Sequence, residues 1–103
     1  MRKRKARSAA GEEDKYVLRL YVTGSTPRSS RCIVNLRRFC EKELLGRYKL
    51  EIIDIYQQPE LARQEQIVAA PTLIKKLPHP LRKLVGDLSD QARIFAGLDL
   101  QQP

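Results

Sequence analysis

A chain of 103 residues is one small domain, with enough length for a single core and no room for separate catalytic and substrate lobes. Lys and Arg number 20 against 12 Asp and Glu, a formal charge of +8 that favours an acidic partner surface or nucleic acid over a neutral one. The basic start is not followed by the apolar stretch of a secretory signal, and the longest uncharged run, Gln66–Ile74, falls far short of the roughly 18 apolar residues of a membrane span. These features predict a soluble, cytoplasmic protein with no membrane contact.

Residues 1–14 hold Arg2, Lys3, Arg4, Lys5 and Arg7, then Glu12, Glu13 and Asp14, without apolar periodicity. They read as a disordered basic tail ahead of a domain over 15–103. Tyr16–Val22 is a nearly continuous run of β-formers closed by Thr23-Gly24, a strand buried on both faces. Thr26 can cap a helix whose first position is Pro27, where the missing N–H costs nothing. Ile33, Leu36, Cys40 and Leu44 make its core stripe, Arg28, Arg31, Asn35, Arg38 and Lys42 fall on another face, and Gly46 ends it.

A second strand over Tyr48–Ile55 completes a strand-helix-strand unit that should cross over right-handed and parallel. Pro59 opens a short helix over Glu60–Ile67, and Ala69-Ala70-Pro71 leads into a third strand, Thr72–Leu77. A fourth, Leu81–Val85, follows the stiff Pro78-His79-Pro80 connection. Asp87 or Ser89 can cap a last helix that runs to Gly97, with Leu88, Ala92 and Phe95 inward and Gly97 as a stop with positive φ. The order is β-α-β-α-β-β-α, an α/β class.

A proline opening the third strand of such an order is how thioredoxin-like folds present a proline beside the helix of their active site. That helix should begin with Cys-x-x-Cys, but here the positions are Thr26-Pro27-Arg28-Ser29. Cys32 and Cys40 lie eight apart in one helix, about 12 Å at 1.5 Å per residue. A disulfide spans no more than roughly 7 Å, so the two are not a pair and read as small core or surface residues in a reducing compartment. His79, the only histidine, has no clustered ligands and is expected to be exposed, and Gly24-Ser25-Thr26 lacks the rest of a phosphate loop. No nucleophile is paired with a base, so no catalytic residue, metal or cofactor is assigned. A thioredoxin-like enzyme would need a reactive thiol at the helix start. A nucleic-acid-binding module would rest on tail and charge alone, without stacking aromatics, and is disfavoured.

Six segments resemble the KaiB family of cyanobacterial circadian clock proteins. They are Tyr16 through Pro27, Leu50–Asp54, Ala69 through Leu73, Leu77–Lys83, Gly86 through Ser89 and Gly97–Leu100. The resemblance implies a non-enzymatic partner of a ring-shaped clock ATPase, KaiC, that modulates its phosphorylation cycle and in the assembled ring sequesters KaiA. It also implies metamorphosis, with the C-terminal half taking either a thioredoxin-like arrangement or an alternative that assembles as tetramers, and with only the former binding the ring. Such switching requires two packings within a few kcal/mol. The thioredoxin-like monomer is the expected resting form.

Arg19, Arg31, Lys75, Arg82 and Lys83 match basic positions on the family's partner-binding surface. Arg82 and Lys83 stand out, since neighbours in a strand point to opposite faces and at least one must be outward. Pro71, expected to be cis, Gly97 and Asp99 are assigned to the structure and balance of the two folds. His79 replaces the middle of the family's usual three prolines, Glu51 stands where lysine is common, the basic tail is extra and the acidic C-terminal extension is absent. The pattern is that of a divergent paralogue.

Overall fold

In the computed structural model, the described residues are 15–100 apart from Ser25, Ala69 and Asp87, so the tail of residues 1–14 lies outside them. Seven elements follow in order: β1 (Tyr16–Val22), α1 (Pro27–Glu43), β2 (Tyr48–Asp54), α2 (Pro59–Gln64), β3 (Thr72–Leu77), β4 (Arg82–Val85) and α3 (Gln91–Gly97). They form one mixed sheet in the order β2-β1-β3-β4. β1 runs parallel to β2, in a register that sets Leu18 against Leu50, and antiparallel to β3, which is antiparallel to β4. The thioredoxin-like order read from the chain is therefore the observed fold.

The strand interior follows from its residues. Tyr16, Leu18, Leu20 and Val22 project to one face and are buried with Cys32, Leu36, Phe39, Cys40 and Leu44 of the α1 stretch and Ile94, Phe95 and Leu98 of the α3 stretch. Full burial of a leucine contributes about 1.5–3 kcal/mol. Phe39 meets Phe95 edge to face at 5.0 Å, which fixes α3 beside α1. The opposite face is thinner: Tyr21, Ile53 and Ile74 pack with Ala62 under the six-residue α2.

Local chemistry sets the element ends. The Thr26 hydroxyl accepts a hydrogen bond from Ser29 N–H at 3.1 Å, the cap read from the sequence, and Pro27 opens the helix. α1 stops at Glu43, three residues before Gly46, which takes φ +76° in the following turn. β2 stops at Asp54 because its Oδ1 accepts from Tyr56 N–H at 2.9 Å and Gly24 N–H at 3.3 Å, turning the chain. α2 stops at Gln64 rather than Ile67, with Gln66 at φ 57°. The Ala70–Pro71 bond is cis, as are Leu77–Pro78 and His79–Pro80.

The last helix differs most from expectation. Asp90 caps it through Ala92 N–H at 3.0 Å, so it begins at Gln91; the Asp87 alternative falls outside the described residues. Leu88 is buried but precedes the helix at φ 60°, Ala92 is exposed, and Ile94 takes the inward place beside Phe95. Gly97 is an ordinary helical residue, not a positive-φ stop. Its lack of a side chain matters because a Cβ there would lie 2.4 Å from Leu84 Cδ1. The left-handed stop is Asp99, at φ 58°, after which Leu100 N–H bonds to Phe95 C=O at 2.9 Å.

Candidate partner-binding surface

β4 closes one edge of the sheet, and alternation along it splits its two cations. Arg82 stands opposite Lys75 and Lys83 opposite Ile74, so the pair address different faces, and both are exposed. The five cations expected on one surface thus divide into groups.

On the face shared with α3, the Asp99 carboxylate accepts from Lys75 Nζ at 2.6 Å and from Arg82 Nε and Nη2 at 3.3 Å. Hydrogen bonds from Lys75 and then Arg82 hold the Asp99 carboxyl below its ordinary range. Lys75 itself is only 1% exposed, so its side chain is not available on the surface of this arrangement, contrary to expectation. An ammonium so placed requires a counter-charge, which Asp99 supplies.

On the other face, Glu65, just past α2, gathers three strands. Its carboxylate accepts from Arg19 Nη1 at 2.8 Å and Tyr21 OH at 2.6 Å, both from β1, and lies 3.0 Å from Lys76 Nζ of β3. Its backbone carbonyl accepts from Lys83 Nζ of β4 at 2.7 Å. Burial pushes the Glu65 carboxyl up, but hydrogen bonds from Tyr21, Lys76 and Arg19 outweigh it and leave the group below its ordinary value. Burial, and then the bond to Glu65, raise Tyr21. Glu51 reaches across to Arg19 with Oε1 at 3.0–3.1 Å from its guanidinium. Arg19 is therefore a half-buried, doubly neutralised cation. Arg31 is exposed on α1.

Glu65, Tyr21 and Lys76 were not singled out in the sequence. The usable signal was Tyr21, since a tyrosine inside a strand buried on both faces needs a partner for its hydroxyl. Lys75 is singled out by its match to the family's basic positions, which says nothing of its neighbour Lys76 on the opposite face of β3.

At the end of the sheet where thioredoxin-like folds hold their thiols, hydroxyls are knitted into the frame. The buried Ser29 hydroxyl accepts from Thr23 N–H at 3.2 Å and from the Thr26 hydroxyl at 2.9 Å. Pro71 C=O accepts from Gly86 N–H at 3.0 Å, and the Cys32 thiol points at Gly86 C=O, 3.6 Å away. Both cysteines are buried and unpaired with each other; burial, and then Glu41, push Cys40 up to about 12. His79 is exposed. Among the described residues, no cluster of His, Cys, Asp and Glu could hold a metal, and no helix is long and apolar enough to cross a membrane.

A family profile described as KaiB domain matches residues 19–100. The chain is 52% identical over 85 residues to the circadian clock oscillator protein KaiB of Synechococcus sp. strain RCC307, covering 82% of this chain and 77% of that one. The corresponding protein of Nostoc sp. strain PCC 7120 is 51% identical over 85 residues, with coverages of 82% and 79%. The chain belongs to the KaiB family. Its fold is close to that of the N-terminal domain of Synechococcus elongatus SasA, with a TM-score of 0.71 at 22% identity and coverages of 100% and 96%. Saccharomyces cerevisiae mitochondrial thioredoxin 3 gives 0.67 at 12% identity, covering 88% and 83%. At these identities the likeness concerns the fold alone. Membership of a family named for the clock oscillator gives this KaiB-family chain a clock regulatory role.

Proposed function

We propose that this KaiB-family protein is a non-enzymatic, cytoplasmic regulator that binds a KaiC-like ATPase ring in its thioredoxin-like form, modulates the ring's phosphorylation cycle and engages KaiA in the assembled complex. The observation that carries this reading is the β4 edge, where Arg82 and Lys83 present adjacent exposed cations on opposite sides of one short strand. A ring subunit offering carboxylates along that edge would meet a cation on each side. Arg19 and Lys75 support the edge rather than touch the ring: Arg19 is committed to Glu51 and Glu65, and Lys75 to Asp99. Arg31 lies on a separate element.

Fold switching belongs to this proposal. The contacts that would have to break are the Glu65 network and the Asp99 cluster, both of which join the C-terminal half to the sheet. With a competent fraction of only about 1%, apparent affinity would fall roughly 100-fold, a penalty that a thioredoxin-like monomer at rest avoids. The test is co-elution with a purified KaiC-like ring. Arg82→Glu, Lys83→Glu, checked to be folded, should lose co-elution; retained binding by this variant would overturn the assigned surface.

A further inference from the structure

The sheet ends in β2 on one side and β4 on the other, so each of these strands has backbone groups that face away from the sheet. On β4 the pairing decides which groups these are. Gly86 N–H bonds to Pro71 C=O at 3.0 Å and Val85 stands opposite Thr72, so Gly86, Leu84 and Arg82 turn their backbone toward β3, while Lys83 and Val85 turn theirs outward. The outward carbonyl of Val85 is already taken: Arg93 Nη2, from α3, donates to it at 3.3 Å. The guanidinium also covers the end of the strand, with Nη1 3.6 Å from where a Cβ on Gly86 would stand. Helix geometry holds Arg93 there, because it precedes Gly97 by one turn and Gly97 lies against Leu84, so both are on the side of α3 that meets β4.

We propose that the outer edge of β4 is a strand-addition surface for β2 of a second copy of this chain, and that Arg93 keeps it closed. The two edges match in direction, register and charge. β4 is antiparallel to β3, which is antiparallel to β1, and β1 is parallel to β2, so β4 and β2 run the same way. On β2, Arg47 C=O and Ile55 N–H bond to β1 at Tyr16 N–H and Val22 C=O, so by alternation Leu50, Ile52 and Asp54 turn their backbone outward. A second copy in the same orientation sets the outward groups of Lys83 and Val85 between those three residues, with Val85 C=O accepting from Asp54 N–H. The row that crosses the sheet at this level reads Glu51, Arg19, Ile74, Lys83, an acid at one edge and a cation at the other. An added Glu51 continues that row beside Lys83, whereas two β4 edges would set cation against cation. Each added copy leaves a new open edge, so the join is head-to-tail and does not close. Arg93 blocks it because the incoming Asp54 N–H must displace a charge-assisted hydrogen bond together with the guanidinium that makes it. The contact is independent of ring binding.

Sedimentation velocity and amide NMR of the full ¹⁵N-labelled chain test this. Wild type should stay monomeric to about 1 mM, and Arg93→Ala should self-associate at concentrations at least about tenfold lower, a difference of about 1.4 kcal/mol. Its concentration-dependent amide perturbations should fall on both Tyr48–Asp54 and Arg82–Val85. Arg63→Ala removes one exposed cation from α2 without touching β4 and should remain monomeric, which separates the capped carbonyl from net charge. Two second changes in the Arg93→Ala background should each restore the monomer. Val85→Pro deletes an outward N–H and spares the bonds to β3, and Glu51→Lys sets like charges across the join. A folded Arg93→Ala that stays monomeric, equal association by wild type or Arg63→Ala, perturbations that spare either edge, or association that survives both second changes would each overturn the proposal.

Discussion

Lys75 Nζ lies 2.6 Å from Asp99 Oδ2, and the two partners are buried very unequally: the Lys75 side chain is 1% exposed and that of Asp99 37%. Removing one is therefore not equivalent to removing the other. Lys75→Met keeps the volume and leaves Asp99 with Arg82 and water, so stability should change by no more than about 1 kcal/mol. Asp99→Asn leaves an ammonium in the interior without its counter-charge and should lower the urea midpoint clearly further. Urea titrations of both variants, with matched slopes, check the asymmetry.

Gly97 and Leu84 form a second such pair. A methyl at 97 would overlap the Leu84 side chain, with contacts of 2.4–2.6 Å. In isolation an exchange of glycine for alanine favours a helix by up to about 1 kcal/mol, so the outcome rests on whether Leu84 can give way. Gly97→Ala should accordingly be more favourable in a Leu84→Ala background than alone, with a coupling of about 0.5–3 kcal/mol in a double-mutant cycle. Strict additivity would show that the two do not touch.

Acid sensitivity follows from Glu65 and Asp99, both held below their ordinary values. A carboxyl with a depressed folded-state pKa contributes stability above its unfolded pKa and loses it as pH falls through the folded one. These groups should therefore leave stability nearly level from pH 7 to 5 and lower it below about pH 4, beneath the ordinary carboxylate range. Glu65→Gln should be less stable at pH 7 and show a shallower acid loss. Melting temperatures across pH 3–7 for the two proteins measure this.

The thiols should be inert in the folded chain. Cys32 and Cys40 are both buried, and Cys40 is pushed up to about 12, so little thiolate forms at neutral pH. An aromatic disulfide reagent should label both in urea and neither at a comparable rate in buffer. Turnover in an insulin-reduction assay that Cys32→Ser abolishes would refute this.

How much of the fold was legible depended on how local its determinants were. Pro27, Pro59 and Thr26 act within a turn, and each marked its element correctly. The strands were legible from β-branched runs, and the order of elements sufficed for the architecture. What remained hidden was long-range: the burial of Lys75 depends on Asp99, twenty-four residues on, reaching its ammonium, and the role of Glu65 depends on where a short helix lands across three strands. Gly97 was misread because a helix-ending glycine normally signals positive φ, whereas its reason here is Leu84, thirteen residues away in sequence. The meeting of Glu51 with Arg19 likewise required the parallel register of β1 and β2.

The central claim is that the resting chain is a thioredoxin-like monomer that meets the ring through the β4 edge. Amide NMR of the ¹⁵N-labelled chain, alone and with a KaiC-like ring added, tests it most directly. The free chain should show helical shifts over Gln91–Gly97 and strand shifts over Thr72–Leu77 and Arg82–Val85, and added ring should attenuate Arg82 and Lys83 first. Strand shifts across 91–96 in a tetramer-sized particle, or attenuation that spares β4, would contradict it.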